Sequence, residues 1–223
     1  MKLIIWFVLF NLLVVHNSYA QSAPWVGVDF KGFACQGEQM NYGPYDYRNS
    51  EHRRKKLPIV EHYHFTSDVQ KLVKGKSGSI VGDLAYTLRA FPNHYKALKA
   101  LSYYQVLSNT GLSRYQKSPV NPPVECYFQR AMYFVPDDAT VKMLYASYLK
   151  KIKKYKLADK FYQKSIEEAS EKLKPKFRYI YGLFLLKQKR YKEAKEQAKL
   201  IYRNGFPNER LKQKLITVGV WKE

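Results

Sequence analysis

Cysteine, histidine and acidic side chains are scarce in this chain of 223 residues. The two cysteines, Cys35 and Cys126, cannot build a cysteine-rich zinc scaffold, and neither sits in the Cys-x-x-Cys pair that redox catalysis uses. There is no His-Glu-x-x-His helix, no Gly-rich phosphate loop, no Gly-x-Ser-x-Gly elbow and no credible Cys-His couple. The chain is therefore expected to be non-enzymatic, with no cofactor and no metal site as the leading expectation. Long apolar runs are missing too. The one candidate, residues 3–15, is 13 residues interrupted by Asn11, about 20 Å as a helix against a ~30 Å hydrocarbon core, which disfavours a membrane span. Aromatic residues are plentiful: 20 Tyr and 46% hydrophobic residues exclude a disordered chain.

The first twenty residues read instead as a secretory signal. Lys2 supplies the positive start, the apolar run follows, and Ser18-Tyr19-Ala20 offers a small-x-small site for cleavage after Ala20. Gln21, not Cys, follows the cut, so a lipid-modified start is not indicated. Export into an oxidising compartment favours a bridge between Cys35 and Cys126 over two separate buried thiols. It also frames the charge. The chain holds 39 Lys+Arg against 18 Asp+Glu, and the excess is uneven: 15 basic and 10 acidic in residues 21–138, 23 basic and 8 acidic in 139–223. Such a block suits an acidic protein surface, an anionic lipid or an anionic polymer, while an exported protein seldom meets nucleic acid. Because 29 of the cations are Lys, a merely solvated face is the competing explanation.

Glycines 27, 32, 37 and 43 and prolines 24, 44 and 58 punctuate residues 21–60, so loops and short extended pieces are expected there. Thr66-Ser67-Asp68 reads as the start of a short helix through Val69, Leu72 and Val73, ended by Gly75. Residues 80–91 form the next helical candidate, stopped by Pro92. Beyond Asn93 helix follows helix, with breaks near 109–111, 122–123, 136–137, 175 and 205–207. The division is thus a signal at 1–20, an irregular segment with short helices at 21–92, and a helical array at 93–223, all-α in class.

A repeat of 36 residues organises that array. Ala146, Leu149, Tyr155, Ala158 and Tyr162 align with Gly182, Leu185, Tyr191, Ala194 and Ala198. Small residues at the first and fourth positions let two antiparallel helices approach closely. The pattern resembles the tetratricopeptide repeat, with Lys142 where that repeat usually carries tryptophan and a spacing longer by two. Units open at Tyr95, Ala139 and Pro175, giving two and a half to three helix pairs, and residues 208–218 cap the array. Across the whole chain, CQG at 35–37, GPYDYR at 43–48, LPIVEHYHFT at 57–66, DLAYTLRAFPNHYKAL at 83–98, ECYFQRAMYFVPDDATV at 125–141 and the ending at 205–221 are similar to a family of exported tetratricopeptide-type proteins of proteobacteria. The resemblance implies a periplasmic address and an amino-terminal segment packed on the repeats. It implies no activity.

Two sets of residues follow as site candidates. In a tetratricopeptide unit the first helix lines a concave groove; carried onto this sequence, that places Lys96, Lys99, Tyr103, Thr140, Met143, Ser147, Lys150, Lys151, Lys176, Tyr179, Leu183 and Lys187 in it. A groove so rich in lysine suits an acidic protein partner in the cell envelope, held by an adaptor without bond making. The second set is Asp46, Arg48, His62, His64 and His94, which would make a metal or small-ligand site if residues 61–64 were extended, since His62 and His64 would then point the same way. Asp46 and Arg48 are equally suited to pairing with each other and anchoring the segment. A third reading is electrostatic attachment to anionic membrane or envelope polymer.

Overall fold

The computed structural model describes residues 22–111 and 119–221; the expected signal at 1–20 lies outside the described residues. Among the described residues the chain is all-α, with eleven helices and one isolated antiparallel bridge between Val28 and Ala34. The helices are α1 (Ser50–Lys55), α2 (Leu57–His64), α3 (Ser67–Gln70), α4 (Ile80–Ala90), α5 (Tyr95–Ser108), α6 (Val124–Phe134), α7 (Ala139–Lys151), α8 (Tyr155–Glu168), α9 (Lys174–Lys187), α10 (Tyr191–Tyr202) and α11 (Arg210–Thr217).

Side chains at the helix starts explain the boundaries. The first N–H groups of a helix lack intrahelical acceptors, and a polar side chain just before them supplies one. Asn49 accepts from the amides of Glu51 and His52, Ser79 from Gly82, His94 from Ala97, and Asp138 from Thr140 and Val141. The expectation of loops through residue 60 fails at α1 and α2. Asn49 caps the first, and Pro58 sits in the first turn of the second, where its missing N–H costs nothing and its fixed φ favours the helix.

Helices α7 and α8, and again α9 and α10, form hairpins whose three-residue turns share one backbone form. Lys153 and Lys189, 36 positions apart, both adopt the left-handed region with φ of 62° and 60°. Behind each, the next amide reaches back to the helix: Lys154 N to Leu149 O at 2.9 Å, Arg190 N to Leu185 O at 3.0 Å. This is the closing bond that usually follows a glycine, here made with lysine. Ala146, Ala158, Gly182, Ala194 and Ala198 are all buried between paired helices. Gly182 also lets α11 approach closely: a Cβ there would stand 2.5 Å from Leu211 Cδ2, so the leucine would have to shift. Lys142, in the slot of the expected tryptophan, is buried, and its ammonium bridges Pro136 O and the Glu168 carboxylate. A paired charge thereby joins the start of α7 to the end of α8.

One hydrophobic core runs from Phe65 and Val69 through Leu84, Leu98, Phe128, Leu149, Tyr162 and Phe184 to Leu215. Non-helical residues 22–38 lie on α4 and α6, and residues 40–48 pack on α2, the end of α4 and the starts of α5 and α7. Cys35 is bonded to Cys126 of α6, with Cα atoms 5.4 Å apart. One turn along, Gln129 accepts from Val28 N at 3.3 Å and donates to Val28 O at 2.8 Å. Arg130, which sequence patterning did not single out, is buried on α6 and donates to Ala23 O at 2.7 Å, Leu88 O at 2.8 Å and Arg89 O at 3.3 Å. The last two are carbonyls at the end of α4 that no helix amide can satisfy. Trp25 covers the guanidinium, 5.1 Å from the ring centroid. Burial pushes the pKa of Arg130 down to about 10, so it still carries its proton at neutral pH.

Two outcomes follow. The bridge closes a separation of 91 residues, so replacing both cysteines by serine should cost about 4 kcal/mol in denaturant unfolding. A loss below about 1 kcal/mol would show that the unfolded chain is not constrained by it. Arg130→Met should lose about 3 kcal/mol by leaving buried carbonyls without donors, measured by the same unfolding curves followed through Trp25 fluorescence.

Candidate functional site

Helices α5, α7 and α9 present their first-turn and middle residues to a common face. Lys99, Ser102 and Tyr103 of α5, Thr140, Met143, Leu144, Ser147, Tyr148 and Lys151 of α7, and Lys176, Phe177 and Ile180 of α9 enclose a cavity of about 330 Å³. Its floor is apolar, and three lysines stand on its rim. A second cavity of about 340 Å³ shares Lys99 and Tyr103 and adds Lys96, Ala100 and Leu107 of α5 with Gln70, Lys71 and Leu72. Both are lined by Lys99 and Tyr103, so the two cavities flank the same stripe of α5, one on the side of the α3 turn and one toward α7 and α9. Over the Tyr103 ring lies Lys151 Nζ, 3.8 Å from the centroid.

Lysines dominate the electrostatics, with Lys96 close enough to Glu61 to help hold that carboxyl below its ordinary range, after its bond to His94. Among the described residues, no carboxylate lies within ion-pair distance of Lys71, Lys96, Lys99, Lys150, Lys151, Lys176 or Lys187. The Lys151 ammonium, helped by Lys99 and Lys150, holds the Tyr103 phenol below its ordinary range. Burial, then the neighbouring Lys151 and Lys187, lowers Lys150. A ligand carrying carboxylates would relieve this repulsion while its apolar part covers Met143, Leu144, Phe177 and Ile180.

Of the residues expected in the groove, Lys96, Lys99, Tyr103, Thr140, Met143, Ser147, Lys151 and Lys176 line these cavities. Lys150 and Lys187 stand near each other beside them without lining them. Tyr179 goes elsewhere: its hydroxyl donates to Asn208 Oδ1 at 3.0 Å and its ring packs on Phe206 at 5.3 Å. Leu183 is half-buried outside both cavities. Ser102, Leu144, Tyr148, Phe177 and Ile180 were missed, although Ile180 lies one helical turn beyond Lys176. Gln70, Lys71 and Leu72 were missed because they come from outside the repeats.

The second set does not converge. Residues 61–64 belong to α2, not to an extended piece, so His62 and His64 are about 200° apart around the helix axis. His62 is exposed against Tyr63. His64 turns Nδ1 to Asp83 Oδ1 at 2.9 Å and stacks on Tyr86 at 3.7 Å. Among the described residues no group of three or more His, Cys, Asp or Glu is arranged to hold a metal ion. Asp46 and Arg48 are joined by their side chains at 3.1 Å, and Arg48 also reaches Asp137 at 3.0 Å. Asn93 donates to Asp46 at 2.7 Å and to Asp138 at 3.1 Å, and accepts from Tyr47 N at 2.8 Å. These residues tie GPYDYR to the starts of α5 and α7. Gly43 makes the approach possible, since a Cβ there would stand 2.6 Å from Ala90 O.

His94 is fully buried at the start of α5. Its Nδ1 accepts from Ala97 N at 3.1 Å, which places the ring proton on Nε2, 3.1 Å from Glu61 Oε1. Burial lowers the His94 pKa from 6.5 despite the Glu61 carboxylate. A depressed folded value means the unfolded chain binds the proton first, so the stability held above pH 6.5 falls as pH drops through the folded value. His94→Asn, which keeps a capping side chain, should flatten the decline in unfolding free energy below pH 6.5 by about one proton; an unchanged slope contradicts this assignment.

Comparison of the chain with protein-family models, with curated proteins and with solved structures gives no match in any of the three. No described helix is long and apolar enough to cross a membrane. The helical architecture, the disulfide and the groove are therefore what any functional reading stands on.

Proposed function

We propose that this chain is an exported, periplasmic adaptor of the tetratricopeptide type, which holds an acidic segment of a partner protein in its basic groove and performs no catalysis. The observation that carries the reading is an apolar floor beside lysines that, among the described residues, have no carboxylate within ion-pair distance. The disulfide between Cys35 and Cys126 fits an oxidising compartment. The irregular segment is fastened to α4 and α6, and the described part of it reaches the groove only through Gln70, Lys71 and Leu72 at one end. Carboxylates on a bound segment would meet ammonium groups already forced together, so binding is expected to be strong at low salt and weaker at high salt.

The test compares the protein with a Lys99→Glu, Lys151→Glu, Lys176→Glu variant, using a fluorescent peptide that alternates glutamate and leucine. Binding should weaken at least about tenfold in a variant whose helical circular dichroism and melting are unchanged. Equal binding by the folded variant would remove the groove from the mechanism.

A further inference from the structure

A second surface stands apart from the groove. Residues 28–34 form a tight hairpin whose ends meet in the Val28–Ala34 bridge. Asp29 N donates to Phe33 O at 2.8 Å, and Gly32 turns the chain with φ of 90°. The Asp29 carboxylate is folded back into the turn, accepting from Lys31 N at 2.8 Å and Phe33 N at 2.9 Å. Beside the exposed Lys31, the hairpin shows solvent three large apolar side chains: Phe33 is 68% exposed, Val28 54% and Phe30 37%. The hairpin is not loose. Gln129 grips Val28 by both backbone groups, Phe30 N donates to the buried Glu125 carboxylate at 3.1 Å, and the Cys35 bridge closes its far side.

Cations surround this tip. Lys31 lies on it, Lys154 Nζ sits 4.1 Å from the Phe30 ring centroid, and Lys153 is exposed beside Lys154 in the α7–α8 turn. We infer that the hairpin is a membrane-docking tip, which inserts Phe33 and the edge of Phe30 into the interfacial region of an anionic bilayer while the lysines meet lipid headgroups. The shape favours a bilayer over a protein partner. Two rings and a valine on a narrow, convex turn offer little area for a complementary protein surface, yet suit a fluid interface that closes around them. The Lys154 ammonium over the Phe30 ring, with Lys31 and Lys153 exposed nearby, puts positive charge beside exposed apolar side chains, the pairing an anionic interface selects.

The experiment uses the disulfide-intact protein with vesicles of phosphatidylcholine alone and of phosphatidylcholine mixed with phosphatidylglycerol, by co-sedimentation. Binding to the anionic vesicles alone is expected, weakened about tenfold by Phe33→Ser and by the Lys153→Glu, Lys154→Glu pair. Phe33→Trp reports insertion directly, because its emission should shift to the blue on the anionic vesicles and not on the neutral ones. The inference is overturned by no vesicle binding by folded protein, by binding that Phe33→Ser leaves unchanged, or by a Phe33→Trp emission that does not move. Vesicle binding lost in the Lys99, Lys151, Lys176 charge-reversed protein but kept in Phe33→Ser also overturns it, and assigns lipid contact to the groove.

Discussion

The buried guanidinium of Arg130 decides where the amino-terminal segment can lie. Its donors join three separated pieces of chain: Ala23 in the irregular segment, the last carbonyls of α4, and α6 itself. Among the described residues no carboxylate pairs with it, so the cost of burying the charge is offset by backbone dipoles and the face of Trp25. The Cys35 bridge and the Gln129 clasp act within one turn of the same helix. Together they fix residues 22–38 on the α6 side. The face made by α5, α7 and α9 is left lined by lysines and apolar side chains.

A second constraint repeats along the chain. Phe91-Pro92-Asn93-His94 and Val135-Pro136-Asp137-Asp138 each end one helix and cap the next. The segment GPYDYR lies across both junctions, and its Arg48 meets carboxylates of Asp46, Asp137 and Asp138. Burial raises the Asp138 pKa, while Asn93, Tyr95 and the helix amides work in the other direction. Three carboxylates are thus held at the junctions by one arginine. With 39 Lys+Arg against 18 Asp+Glu, cations outnumber their possible partners, and lysines of α5, α7 and α9 are among those left to line the groove.

Much of the architecture was legible because periodicity encodes it. The small residues Ala146, Ala158, Gly182 and Ala194 announced close helix pairs, and those helices pair. The left-handed turns at Lys153 and Lys189 were not legible, because lysine gives no local signal for positive φ and the backbone bond to the helix end enforces it. Proline misled at Pro58, where a residue that ends helices also starts them. Repeat spacing put Lys96, Lys99, Lys151 and Lys176 on cavity walls but also named Lys150, Lys187, Tyr179 and Leu183, which line neither cavity. The α3 edge of the groove could not be read, because Lys71 arrives through tertiary packing. The histidine cluster was an artefact of proximity in sequence: one imidazole caps α5, one pairs with Asp83, and one faces solvent.

The account makes the groove an acceptor for an acidic segment and the hairpin of residues 28–34 a separate point of attachment. These surfaces share α7, whose groove-facing residues end near Lys151 and whose following turn carries Lys153 and Lys154. A partner held in the groove would then lie close to the surface on which the protein is docked. Hydrogen exchange with the acidic peptide bound tests the central claim most directly. The account predicts new protection concentrated in residues 96–103, 140–151 and 176–180, the stretches that line the two cavities. Protection confined to α6, α8 and α10, or none at saturating peptide, would contradict it.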